Sequence, residues 1–188
     1  MKDLFNMEVF KNIIKRLFAF MVDWYVSTLF AEIPVLIFQS INAKDLVLVN
    51  SVENLPLYQA IIATIIAIII YTIYFCVLPL KDRKYTAKGQ TLGKKLLQIK
   101  VVSTDNEDLS FRKLFLRDFV GILVLQGVLT TVIIYVMTIM LEFLPERAFY
   151  IIYSIYYIVF FASTVLLVLT KKHRNVQDII SSTTITDI

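Results

Sequence analysis

The chain has 188 residues, of which 58% are hydrophobic and 18% are charged, and its formal net charge at pH 7 is +4. An average soluble domain is about 45–50% apolar and about 25% charged. This composition, with a mean hydropathy of +0.73, argues against a soluble enzyme, a disordered chain and a disulfide scaffold. The class predicted is a membrane protein, and the single cysteine, Cys76, and single histidine argue against a zinc site.

Four apolar stretches are long enough to cross the hydrocarbon core, which needs about 20 helical residues. The continuous runs predict helices rather than the alternating strands of a membrane barrel. The first stretch is too long for the apolar region of a cleaved signal peptide. We predict an all-α membrane protein with four transmembrane helices, at about 17–41, 55–80, 119–143 and 149–170.

The basic residues are divided unequally between the two sides that four spans define. Segments 1–16 and 81–117 and the tail after Thr170 hold 17 of the 19 Lys and Arg residues. Basic segments stay in the cytoplasm, so both termini and the central segment are predicted inside. The excess of basic residues on one side explains the positive net charge and predicts contact with anionic lipid head groups. Because the basic residues lie next to the membrane, we do not expect a nucleic-acid-binding surface.

Residues 1–16 place apolar side chains at helical spacing among charged and amide side chains. This pattern suits an amphipathic helix that lies on the inner interface of the membrane. A short helical extension of the first span is the alternative, and the sequence favours neither.

The cytoplasmic segment 81–118 is the longest piece outside the predicted spans. Thr91 can cap a short helix, and Ser110 can start a second helix that runs into the third span. Residues 99–103 are rich in β-branched side chains and predict an extended strand. A similar run within the 171–188 tail could pair with it and form a small β element.

Gly89 and Gly93, followed by Lys94, invite comparison with a phosphate-binding loop. The spacing is one residue short, Lys95 stands where Ser or Thr is required, and no strand–loop–helix unit surrounds the motif. We therefore expect no nucleotide and no other cofactor. The two glycines also lie outside any apolar run, so we do not expect a membrane packing motif.

Several of these segments are similar to a known family. Residues 16–23 read Arg-Leu-Phe-Ala-Phe-Met-Val-Asp and resemble the opening of the RDD family of small multi-pass bacterial membrane proteins. Residues 89–102 resemble that family's Gly-x-Thr-x-Gly-Lys segment and the valine-rich stretch after it. Arg117 resembles the arginine before the next span, and residues 178–183 resemble the closing aspartate motif.

The family is named for one arginine and two aspartates, which by position correspond to Arg16, Asp23 and Asp178. Gln177 stands where the family often has histidine. The resemblance covers most of the chain, treated as a single domain over 1–188. It implies a multi-pass protein of the bacterial inner membrane and suggests ion or solute transport.

Asp23 is a carboxylate within the first predicted span, where ionisable side chains are costly and face a bundle interior or an aqueous cavity. Arg16 precedes it by nearly two helical turns, so the two residues share one face. One interpretation is an ion or proton relay that opens to the cytoplasm. The other is a structural pair that fixes the first span against its neighbours or Arg117.

Glu32 lies past the middle of the first span, close to Pro34, which frees a backbone carbonyl. A carboxylate beside such a kink could bind a cation. It could equally reach the outer interface or make a polar contact between helices.

Asp178 stands four residues after Arg174, so the default expectation is a surface helix pair. The remaining polar candidates outside the spans, functional or structural, are Gly89, Thr91, Gly93, Lys94 and Arg117.

Three functions remain open at this point. The leading hypothesis is an ion- or solute-handling membrane protein that works as a homo-oligomer. The second is an accessory protein whose cytoplasmic patch at 84–117 and 171–188 binds a partner. The third, a membrane enzyme, is not expected, because His173 stands alone and no nucleophile elbow is present.

Overall fold

The computed structural model describes residues 7–42 and 51–188, apart from positions 83, 85, 106, 128–129 and 170–173. Two predictions therefore fall partly outside the described residues: the first six residues of the interfacial segment, and the start of the tail with His173.

Three helices in the described part are long and apolar enough to cross a membrane. The first is α1, Met7–Asn42, which runs through Pro34 without ending. The second begins as α2, Leu57–Thr72, and continues to Leu80 through a first π-helix, Ile73–Val77, and a short 3-10 turn. The third is α6, Glu146–Leu169.

Helix α1 is longer than a membrane span requires. Its 36 residues extend over roughly 54 Å, against about 30 Å of hydrocarbon. Residues 7–16 belong to the same continuous helix as the first span. The described part of the N-terminal segment is therefore the helical extension, rather than a separate interfacial helix.

The third predicted span, 119–143, is not one helix. A second π-helix covers Phe115–Val124, and α5 covers Thr131–Leu141. Between them, Thr130 donates its backbone N–H and its hydroxyl to the Gly127 carbonyl oxygen, at 2.9 and 3.1 Å. This turn satisfies the carbonyl that a continuous helix would use, so the helix breaks there. Four membrane crossings remain a prediction.

The segments between and after the long helices form a small cap. Ser110 starts a helix as predicted, and its side chain accepts a hydrogen bond from the Lys113 backbone N–H. Thr91 precedes the first helical residue as predicted, but its side chain makes no capping bond and donates to Asp23 instead. The cap consists of α3 (Leu92–Leu96), β1 (Ile99–Ser103), α4 (Phe111–Leu114), α7 (Val176–Ile180) and β2 (Thr183–Asp187).

The predicted strand pair is confirmed. Strands β1 and β2 are antiparallel, with Val101 opposite Ile185 in the middle of the ladder. Both of these side chains are buried. The pairing joins the 81–118 segment to the tail, so these two segments lie at the same end of the helix bundle.

The turn after β1 is tied to α4 by Lys113. Its Nζ donates to the Ser103 hydroxyl at 2.6 Å and to the Asp105 carboxylate, and it also pairs with Glu107 at 3.0 Å. Hydrogen bonds from Lys113 and Ser103 lower the pKa of Asp105 to about 2. The turn therefore stays anchored by a charged carboxylate throughout the neutral range.

The two glycines of the 89–93 motif both make close backbone contacts. Gly89 has φ +85°, and a Cβ there would lie 2.2 Å from the Val101 carbonyl oxygen. A Cβ on Gly93 would lie 2.2 Å from the Ala19 carbonyl oxygen of α1. The glycines do not form the helix–helix motif of two membrane spans, but Gly93 still allows α3 to approach α1 closely and Gly89 allows its turn to approach β1.

We predict that Gly93→Ala destabilises the protein by about 1–3 kcal/mol, because the added methyl overpacks a backbone contact. Thermal unfolding in detergent, followed by fluorescence-detected size exclusion, measures the change. Ala162→Val, on the exposed face of α6, is the control and should leave the midpoint unchanged. Equal midpoints for the two variants would show that α3 does not pack against α1 this closely.

Candidate functional site

Asp178 joins three parts of the chain that are distant in sequence. Its side chain is fully buried, and its carboxylate accepts from Arg16 Nη1 of α1 at 3.1 Å and from Arg117 Nη1 of the second π-helix. Arg117 also donates to the Thr183 hydroxyl of β2 at 2.8 Å. The predicted surface pair is wrong, because Asp178 is buried and Arg174 donates to its backbone carbonyl instead, at 2.7 Å.

Asp23 binds a different part of the molecule. Its buried carboxylate accepts from the Tyr74 hydroxyl at 2.6 Å, the Thr91 hydroxyl at 2.5 Å and the Gly93 backbone N–H at 2.8 Å. Three donors satisfy both oxygens of a carboxylate that would otherwise be costly to bury. Asp23 therefore holds the first turn of α3 against α1, while Arg16 on the same helix binds Asp178.

The structure does not bring Glu32 to this cluster. Its side chain is half-buried, farther along α1, and it is absent from the cavity wall formed by the described residues. Pro34 beside it is buried within the continuous helix.

A cavity of about 260 Å³ lies beside the Asp178 cluster, at the predicted cytoplasmic end of the bundle. Most of its wall is apolar, with Phe20 of α1, Phe75 of the first π-helix and Phe160 of α6 among the lining residues. The exposed residues on its rim are Leu17 and Thr164, which belong to α1 and α6. Among the described lining residues only these two are exposed, so the lining reaches the protein surface between α1 and α6, and we take this as the mouth of the cavity.

Asp118 lies in the wall of this cavity and was not singled out from the sequence. Its side chain is 1% exposed, and neither carboxylate oxygen has a hydrogen-bond donor among the described residues. Arg117 Nε lies 3.7 Å from Oδ1, which is beyond hydrogen-bonding distance. The sequence feature that could have indicated Asp118 is its position, one residue before the apolar run of the third predicted span.

Lys94 lies in the same wall and is also buried. Its Nζ stands 5.9 Å from the centroid of the Phe75 ring, a cation–π distance. Within the described residues it forms no salt bridge and no hydrogen bond. The described part of the cavity wall thus has one carboxylate, Asp118, and one ammonium, Lys94, that form no hydrogen bond.

Both π-helices contribute to the cavity wall. Phe75 comes from the first, and Arg117, Asp118 and Ile122 come from the second. π-helical turns are rare and occur often at functional sites. In membrane proteins, irregular backbone is tolerated where it is covered by protein or lines a cavity.

Comparison with known proteins identifies the family. The sequence model of the RDD family matches residues 11–182. The chain belongs to the RDD family. Comparisons with curated proteins and with solved structures find no match. In this RDD protein, Arg16, Asp23 and Asp178 hold the cap and the long helices together around the cavity.

The described residues offer no evident metal centre. No group of three His, Cys, Asp or Glu side chains among them could hold a metal ion. The polar groups that line the cavity are two carboxylates, two guanidinium groups, one ammonium, and several amides and hydroxyls. Two of the amides, Gln126 and Gln177, bond to each other at 2.7 Å.

We predict that Asp178→Asn costs about 3–5 kcal/mol of stability, because two buried arginines lose their shared counter-charge. Asp187→Asn is the matched control: it also removes an acid that pairs with a base, Lys15, but this pair is partly exposed. Its loss should cost at most about 1 kcal/mol. Thermal unfolding in detergent compares them, and similar midpoints would contradict the buried hub.

Proposed function

We propose that this RDD-family membrane protein handles a cation, or a small solute with a cationic group, in the cavity beside Asp118. The observation that carries the proposal is a fully buried carboxylate without a hydrogen-bond donor among the described residues, in the wall of a cavity. A buried carboxylate of this kind is unfavourable unless it gains a cation, a proton or a donor. A bound cationic group would supply the positive charge, or the hydrogen-bond donor, that the Asp118 carboxylate lacks.

The sequence suggested Asp23 as the functional carboxylate, whereas we propose that Asp118 has this role. Asp23 already accepts three hydrogen bonds, so a ligand there would have to displace Tyr74, Thr91 or Gly93. Asp118 needs no such exchange. Arg16 and Asp178 would serve as the frame that keeps the cavity open.

The break in the third predicted span supports a transport role. Discontinuous helices often surround the binding sites of secondary transporters, because their unwound ends leave polar groups free. Here the second π-helix contributes Asp118 and ends before the turn at Gly127 and Thr130. We place the cavity at the cytoplasmic face of a bacterial inner membrane, because the basic segments gather at this end.

An accessory role is the second candidate. The cap carries exposed apolar side chains, among them Leu96 of α3, Phe111 of α4 and Ile179 of α7. Such a surface suits either the membrane interface or a protein partner. Lys94 is buried and cannot contribute to a partner surface, so the predicted patch at 84–117 and 171–188 would have to act through its exposed residues.

We predict that Asp118→Asn abolishes cation-dependent flux in proteoliposomes, because the amide removes the charge that binds the cation. The assay loads vesicles with the full-length protein and measures uptake of labelled alkali cations and of methylammonium. Asp105→Asn makes the same chemical change in the exposed turn after β1 and should retain flux.

Two results would contradict the proposal. One is wild-type flux no greater than that of empty vesicles, which would favour the accessory role. The other is equal flux in the wild type and Asp118→Asn. Glu32→Gln, measured in parallel, tests the carboxylate that lies outside the cavity.

A further inference from the structure

Two side chains of opposite charge in the cavity wall lack a hydrogen-bond partner among the described residues, although the Asp118 carboxylate lies 3.7 Å from Arg117 Nε. Asp118 has no hydrogen-bond donor, and Lys94 forms neither a salt bridge nor a hydrogen bond within the described residues. Both side chains are more than nine-tenths buried, and both belong to the cavity wall. A ligand that satisfies both groups must have a hydrogen-bond donor of positive charge and an acceptor of negative charge.

Most of the other charged groups in the wall already have hydrogen-bond partners, although Arg117 Nε has no acceptor among the described residues and lies 3.7 Å from Asp118 Oδ1. Arg16 and Arg117 share the Asp178 carboxylate, and Asp23 is saturated by neutral donors. A simple cation binds Asp118 but leaves Lys94 without an acceptor. A simple anion binds Lys94 but leaves Asp118 without a donor. A zwitterion meets both groups without changing the net charge of the buried site.

The position of the mouth points to a ligand from the bilayer. Leu17 is 55% exposed on one side of the mouth, and Thr164 is exposed on the other. These residues lie on α1 and α6, two helices that are long and apolar enough to span the membrane. Phe20 and Phe160 continue the apolar lining inward. Acyl chains can therefore remain outside while a polar head enters.

The size of the cavity limits what enters. About 260 Å³ is slightly below the usual range of small-molecule pockets, about 300–1,000 Å³. It suits a head group rather than a whole lipid. A primary ammonium can donate hydrogen bonds to a carboxylate, and such charge-assisted bonds are stronger than neutral ones. A quaternary ammonium has no N–H and cannot make them.

We propose that the cavity binds the phosphoethanolamine group of a zwitterionic lipid, with its ammonium on Asp118 and its phosphate on Lys94. The acyl chains leave through the mouth between α1 and α6. This inference rests on one premise of the proposed function, that the cavity takes a cationic group, and it names the solute that carries the group.

Native mass spectrometry of the full-length protein tests the inference. The protein is titrated with phosphatidylethanolamine and phosphatidylcholine of identical acyl chains. The wild type should bind phosphatidylethanolamine about tenfold more tightly or better, the difference expected for one charge-assisted hydrogen bond. Asp118→Asn should lose this preference, whereas Asp105→Asn should keep it. Lys94→Met should weaken both lipids equally, because both have the phosphate.

Substitutions at the buried residues Asp118 and Lys94 could prevent folding, so a substitution at the mouth of the cavity provides a second test. Thr164→Trp changes an exposed residue of the rim, so it should fold normally and still weaken lipid binding by obstructing the mouth. Soluble phosphoethanolamine provides the other source of the same head group. It should bind much more weakly than the lipid, and equal affinity would overturn the assignment to a bilayer ligand.

The results separate this inference from the proposed function. Equal wild-type affinity for the two lipids, or a preference that persists in Asp118→Asn, overturns the lipid inference even if cation flux depends on Asp118. A preference that depends on Asp118 supports the inference even if the vesicles show no flux. In that second case the transport proposal fails and the cavity is a lipid site.

Discussion

The arrangement of the protein depends on one buried carboxylate that neutralises two arginines. Asp178 lies in a five-residue helix after the last span, yet it holds Arg16 of α1 and Arg117 of the second π-helix. Leaving either arginine buried without its counter-charge would cost several kcal/mol. This constraint fixes the position of the tail, and through the β1–β2 ladder it also fixes the segment that precedes the third predicted span.

The two buried aspartates Asp23 and Asp178 have different kinds of partner. Asp178 compensates charge, whereas Asp23 accepts hydrogen bonds from neutral groups at the start of α3. The second arrangement requires close backbone approach, which explains the glycine at position 93. One aspartate therefore positions the tail and the other positions the central segment, and the cavity is the space enclosed between them.

The features that could be predicted from the sequence are those that depend on local residue patterns. The long apolar helices, the cap at Ser110 and the strand pair follow from hydropathy, capping chemistry and β-branched runs. The partner of Arg16 did not follow, because helical spacing indicates Asp23 on the same face and tertiary packing supplies Asp178. The break near Gly127 was also hidden, since hydropathy does not record which carbonyl a backbone N–H binds. Asp118 could be recognised as a candidate binding residue only from the cavity, because the sequence does not show that its carboxylate is buried there.

The β1–β2 ladder also sets an order of events during synthesis. Strand β1 and both arginines are made before the last span, whereas β2 and Asp178 come after it. Until the tail emerges from the ribosome, β1 is an open strand edge and the arginines lack their counter-ion. The cap can therefore close only after α6 has been made. A chain that ended before α7 would therefore leave both buried arginines without Asp178 and β1 without its partner strand.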